Sequence, residues 1–227
     1  NTMTFTVVDA AGTTSTPVTL TEDQAVNVRG YWVRCLPHDF PQLTAKYPTT
    51  DARPSDGYYL FNSSPYGVVV DVRGTPVWYT RGAAVLNLDA TAPNTISFTP
   101  NSTAPFGTDP DGKFEVHALD AKTTLTFAAT GSPTDPHEFR TLPNGHRLLL
   151  TYPREPGTNL SGLGSFGDNE VMMGCQIQEL AADGSLVWSW HGSDHIDART
   201  ESLEPSVAVV NGESTVDAFH SLECAEA

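Results

Sequence analysis

The chain has 227 residues, with 27 Asp and Glu against 12 Lys and Arg, and a net charge of −15. Nucleic acid and anionic membranes are gripped by clustered Lys and Arg; the basic residues here are few and scattered, which argues against both partners and leaves solubility as the simplest use of the acidity. No apolar run of about 18 residues exists, so no helical membrane span is expected.

In chain order, composition predicts an all-β protein. Seventeen prolines, 18 glycines and much Thr separate short β-branched and aromatic runs. The first stretch, NTMTFTVVDAAG, begins as if in mid-strand, as a processed or incomplete chain would. Phe5, Val7, Val18 and Leu20 alternate around an Ala-Gly turn, so residues 1–25 read as the remnant of a small N-terminal β-sandwich, too short to bury a core alone. Residues 26–57 read as a Pro-punctuated connector. Its Trp32, Leu36, Phe40 and Leu43 are expected to pack on the following domain, since a solvated linker would not carry them.

From Tyr58 to residue 227 a repeat of short strands is expected. YYLFNSSPYGVVVDVRGTPVWY, KFEVHALDAKTTLTF and CQIQELAADGSLVWSW each read as strand, turn, strand. Their ends, Trp78, Phe127 and Trp188, are 49 and 61 residues apart. Four short strands per unit of this size is the pattern of a β-propeller blade. About three blades are visible. Three do not close a ring, so the propeller is expected to be incomplete at the C-terminus, with further blades or another chain completing it. Trp78, Trp188 and Trp190 are expected in the core between blades.

The segment DPHEFRTLPNGHRLLLTY, Asp135 to Tyr152, is predicted to be a β-hairpin, with Asn144-Gly145 supporting the positive φ angles of a tight turn. Alternation places His137 and Phe139 on one face and Glu138 and Arg140 on the other. A second histidine, His220, closes a similar run, VDAFHSLEC. Both are expected on innermost strands, facing a common channel. The Gly-rich stretch GTNLSGLGSFGDNE and the segment GSDHIDARTESLEPS read as loops at the channel mouth.

Three cysteines, Cys35, Cys175 and Cys224, fit neither a zinc spacing nor a redox pair. The repeat places Cys175 and Cys224 on adjacent strands, which predicts a disulfide between them and leaves Cys35 for a partner not present. Three buried thiols is the alternative. Sequons at Asn62, Asn101 and Asn159, with the low Lys content, favour a secreted, periplasmic or extracellular protein.

DPHEFRTLPNGHRLLL, then CQIQELAADGSLVWSWHGSDHI, then VDAFH together resemble the bacterial arylsulfotransferase family, in its actinobacterial-type branch, over roughly residues 28–220. The resemblance implies an exported β-propeller preceded by a β-sandwich. It implies transfer of a sulfuryl group from a phenolic sulfate donor to a phenol acceptor, through histidine chemistry and with no nucleotide donor or other cofactor. His137 matches the family histidine of the His-Asp/Glu-Phe hairpin, and His220 that of the Asp-x-aromatic-His strand. The family continues His-x-Asn-Ser; here Leu222 stands where the asparagine would be, so the resemblance does not carry over that residue's substrate-orienting contact. The family's arginine and sulfated histidine come from later blades, and nothing in this chain matches them.

Sulfuryl transfer requires neutralised equatorial oxygens and a proton for the leaving phenolate. His137 and His220 are the candidates for these catalytic roles, and the bland alternative is that each fills the inner end of a blade. His195, between Asp194 and Asp197, is a further candidate for substrate binding, with a pKa raised by its neighbours or a weak metal site as the chemistry. No metal centre is otherwise expected. His38, His117, His146 and His191 read as structural or exposed. Asp109–Lys113 lacks the later glutamate of a calcium loop and reads as a turn, which leaves a calcium-dependent lectin-like propeller little support. The main rival to the enzyme is a non-catalytic extracellular propeller that binds or supports other molecules.

Overall fold

The computed structural model describes residues 2–5, 18–21, 36–44, 46, 56–101, 108–119 and 124–219. The chain divides into two compact units, residues 1–43 and 44–227. In the first, β1 (Thr2–Phe5) pairs antiparallel with β2 (Val18–Thr21), Thr2 opposite Thr21 and Phe5 opposite Val18. A Pro37–Phe40 turn lies further along the same unit.

The second unit is all-β, a series of small sheets in chain order. The first sheet is the meander β3 (Tyr58–Ser63), β4 (Tyr66–Asp71), β5 (Pro76–Arg81). Its central strand carries Val68-Val69-Val70, buried on both faces, so it reads as a continuous apolar run rather than an alternating one. The second sheet is the meander β6 (Leu86–Ala92), β7 (Thr95–Thr99), β8 (Phe114–Ala118), β9 (Thr124–Phe127). The third has the order β10 (Thr134–Thr141), β11 (Arg147–Thr151), β14 (Gln176–Leu180), β15 (Leu186–His191). The first strands lie side by side: β6 is adjacent to β3 on one side and to β10 on the other. This is the arrangement of propeller blades around an axis, and no ring closes among the described residues.

The core lies between the sheets. Phe114 and Val116 of β8 and Phe127 of β9 meet Phe139 of β10, Leu149 of β11 and Leu180 of β14 in one buried cluster. Phe139 stacks on Phe114 at 4.6 Å between ring centres. Between the first two sheets, Trp78 packs on Phe98, as expected for an inter-blade tryptophan. Trp190 packs against the next cluster. Trp188 does not follow: it is 48% exposed on β15, the edge strand of its sheet.

Three hairpins share one turn. In Asp71–Thr75, Leu142–His146 and Ala181–Ser185, the glycine N–H donates to the first residue's carbonyl, and the first residue's N–H donates to the carbonyl of the fifth. Gly74, Gly145 and Gly184 take φ of 77°, 84° and 85°. Asn144 does not join Gly145 at positive φ, so the turn is a type I turn closed by a left-handed glycine, not the tighter two-residue form expected. That tighter form occurs instead at Asn211-Gly212, with φ of 52° and 84°, between β16 (Ser206–Val210) and β17 (Glu213–Asp217).

The Gly-rich insert is a loop flanked by two strands that the sequence reading did not include. Between β11 and β14 the chain adds β12 (Arg154–Thr158) and β13 (Glu170–Met173). The pairs β11–β14 and β12–β13 form one long hairpin, bent where the Gly174 N–H donates to the Pro153 carbonyl at 2.8 Å. Its outer half enters a fourth sheet, β12-β13-β17-β16, in which β13 and β17 run parallel. The tip folds inward: Leu160 and Leu163 are buried with Met172, Val216 and Phe219. A Cβ on Gly174 would lie 2.2 Å from Glu155 Oε1, so a larger residue at the bend would have to push the Glu155 side chain aside. β17, which ends at Asp217, lies between β13 and β16 in this sheet, and His220 follows it outside the described residues.

Cys175 is buried in this same cluster and is disulfide-bonded. Among the described residues no disulfide pair is seen, because Cys35 and Cys224 both lie outside them; so do His220, Leu222 and Trp32.

A Cβ on Gly145 or Gly184 would meet nothing within 4 Å, so Gly145→Ala or Gly184→Ala costs backbone strain alone. Urea denaturation should show a loss of about 1–2 kcal/mol for each. The first turn should also carry a pH signature. Asp71 Oδ1 accepts the N–H groups of Thr75 and Arg73, both at 2.9 Å. The Thr75 bond foremost holds its pKa below the ordinary value. The stabilisation is therefore complete above the unfolded value, about 3.9, and is lost as pH falls through the lower folded value. The stability difference between wild type and Asp71→Asn should shrink over that window.

Candidate functional site

His137 sits where β10 departs from regular pairing. Thr134 is opposite Thr151, but Phe139 is opposite Leu149, so β10 carries extra residues between them. Pro136 stands in this irregular stretch, having no N–H to give a ladder. The departure overturns the alternation expected from sequence: Phe139 points into the core, while the His137 side chain is 59% exposed. Glu138 and Arg140 form an ion pair beside it.

Two groups fix His137. The first is Asp135, fully buried. Its carboxylate oxygens lie 2.9 Å and 3.0 Å from His137 Nδ1, and Oδ1 also accepts the main-chain N–H of His137 at 2.8 Å. Burial raises the Asp135 pKa, and the ring and main-chain hydrogen bonds from His137 oppose that rise. The second is Asn87 on the neighbouring innermost strand β6, whose Nδ2 donates to the His137 carbonyl at 3.1 Å. Asn87 has a left-handed φ of 47° at an irregularity in β6, a conformation asparagine tolerates better than most residues. Neither Asp135 nor Asn87 was singled out in the sequence. For Asp135 a signal was present: an aspartate two residues before a histidine in a strand.

His195 is elsewhere. It follows β15, at the opposite edge of the third sheet from β10, and three inter-strand spacings amount to roughly 14 Å. Its exposed ring lies flat on Trp190, at 5.2 Å and 2° between planes. Gly192–Asp194 forms a single 3₁₀ turn before it, and α1 (Ala198–Glu201) follows. Asp197 does not serve His195 as expected. Its carboxylate accepts from the Arg199 guanidinium at 2.7 Å and 3.0 Å and caps α1 through the Arg199 N–H, and these bonds lower its pKa. A cleft of about 370 Å³ opens here, lined by Glu155, Asn159, Met172, Asp194 and His195 among others. No three His, Cys, Asp or Glu side chains converge on a metal position among the described residues.

The remaining described histidines are held in structure or lie on the surface. His117 pairs with Glu115 at 2.9 Å and packs on Phe98. His146 pairs with Glu179 at 2.6 Å, His191 lies 3.0 Å from Gln176 Nε2, and His38 is exposed. The Asp109–Gly112 segment is a turn, with the Gly112 N–H on the Asp109 carbonyl.

The arrangement brings one imidazole to an innermost strand, oriented by a buried carboxylate, with its other nitrogen facing outward. No protein-family model matches the chain, and no curated protein matches it.

The exposures predict an order of reactivity. Diethyl pyrocarbonate, followed by peptide mapping, should modify His137 and His195 before the half-buried His117 and His146.

Proposed function

We propose that the chain is an exported aryl sulfotransferase-like protein that moves a sulfuryl group between phenols without a nucleotide donor. The observation that supports this reading best is the Asp135–His137 pair, a buried carboxylate on Nδ1 of an outward-facing imidazole at an innermost strand. In the transfer, the S–O bond to the donor phenol breaks and one to the acceptor phenol forms. The acceptor's phenolic proton must leave, and the departing phenolate must gain one. His137 Nε2 is placed to take the first and return the second. His220, matched by resemblance, is proposed as its partner on the sulfuryl oxygens, and Cys224 as the partner of Cys175.

Three sheets in blade order do not enclose a channel, so the reading requires further blades, from a continuation of this chain or from another chain. An assay of the native, complete protein with a chromogenic aryl sulfate and a phenol acceptor tests it. Sulfuryl transfer is expected, and His137→Gln should reduce kcat/KM by about 10²–10⁴-fold. No transfer across a panel of donors, or transfer untouched by His137→Gln, sinks the proposal. A non-catalytic binding propeller would then stand, a reading that Leu222 in place of the family asparagine also favours.

A further inference from the structure

We propose that Asp135 is a positioning residue that locks His137 in the tautomer protonated at Nδ1, so that Nε2 presents its lone pair outward and works by moving protons rather than by clamping oxyanions. The inference rests on the reading of His137 as the working imidazole and assigns that imidazole its role.

Three histidine–carboxylate pairs allow a comparison. In His117–Glu115 the two side chains are 25% and 24% exposed, and in His146–Glu179 they are 28% and 22% exposed. These are evenly half-buried pairs that support strands. In His137–Asp135 the values are 59% and 0%. The carboxylate is taken wholly out of water while the ring stays in it. A buried carboxylate is costly unless its oxygens are satisfied. Among the described residues, the hydrogen bonds to the Asp135 carboxylate come from His137: the main-chain N–H and the ring Nδ1. An ionised carboxylate only accepts, so while Asp135 is charged the hydrogen sits on Nδ1. Nε2 then carries the lone pair of a neutral ring. When Nε2 takes a proton, the buried charge beside Nδ1 stabilises the imidazolium, as in other acid–His pairs. Asn87 holds the same residue's carbonyl from β6, so ring and main chain are both fixed before any substrate arrives. A ring meant to grip sulfuryl oxygens would instead need an N–H pointing outward in its neutral form.

Long-range ¹H–¹⁵N NMR of the full chain labelled at histidine reads the tautomer directly. The His137 signals are assigned by their loss in His137→Gln. Above the imidazole titration, wild type should show Nδ1 protonated and Nε2 bare. Asp135→Asn should move the population toward Nε2–H, because the amide can donate to Nδ1, while the His117 and His146 signals stay in place and report an intact fold. In the transfer assay Asp135→Asn should lower kcat by about 10²–10⁴-fold with KM changing far less. Wild-type His137 protonated at Nε2 overturns the inference without any variant, and so does a folded Asp135→Asn that keeps the wild-type tautomer. Absence of sulfuryl transfer in wild type would remove the proposed function and leave the tautomer result standing, so the two failures are told apart.

Discussion

Among the described residues of the second unit no layer of helices covers the sheets, and the buried apolar side chains of the first three sheets meet the next sheet in order. That constraint places Phe114, Val116 and Phe127 of the second sheet against Phe139, Leu149 and Leu180 of the third, and Trp78 of the first against Phe98 of the second. Stacking the sheets face to face in chain order brings their first strands together as β3, β6 and β10. Main-chain and side-chain groups from different sheets can then meet at one edge, as Asn87 and His137 do. Among the described residues no strand pairs beyond β9 or β15, and apolar residues stay exposed there, Leu125 and Trp188 among them.

The Asp135–His137 pair depends on that packing in a second way. The Asp135 carboxylate is fully buried near the start of β10, and the irregular stretch after Thr134 is what turns His137 outward while Phe139 keeps its place in the core. Regular alternation could not do both, since it would put the two side chains on one face. The cost of burying Asp135 shows in its raised pKa, and the hydrogen bonds from His137 work against it. The polar pair and the aromatic cluster are thus two results of one local break in the ladder.

The sequence made the strands, the all-β class and the blade order legible because turn chemistry and apolar runs are local signals. Asp71–Gly74, Leu142–Gly145 and Ala181–Gly184 each announce a turn through glycine and a polar neighbour. The same local reading misjudged the form of the turn at Asn144-Gly145, because only tertiary register decides whether one or both residues reach positive φ, and it passed over Asn211-Gly212, where the tighter form does occur. It read the loop in GTNLSGLGSFGDNE but not β12 and β13, the strands that flank it. The bend at Pro153 and Gly174, which hands the hairpin from the third sheet to the fourth, has no periodic signature at all. The strand repeat put His137 on the first strand of a blade, and β10 does lie against β6. The repeat missed the buried Asp135 two positions earlier, since burial of a charge is a product of packing and not of pattern.

The separation of His137 from the cleft at His195 limits what chemistry the third sheet can support alone. A sulfuryl group spans only a few ångströms, whereas the two histidines belong to opposite edges of a four-stranded sheet. His195 is stacked on Trp190 and its neighbour Asp197 is engaged with Arg199, so neither is available to complete a site at β10. On the proposed reading, groups that share a substrate with His137 must therefore come from other innermost strands, the way Asn87 already reaches it from β6. A lone Asp135–His137 pair can relay a proton but has no cation to neutralise three sulfuryl oxygens. The transfer chemistry therefore demands donors from further blades, because electrostatic stabilisation at the oxygens and proton relay at the bridging oxygen are separate requirements that one imidazole cannot meet at once.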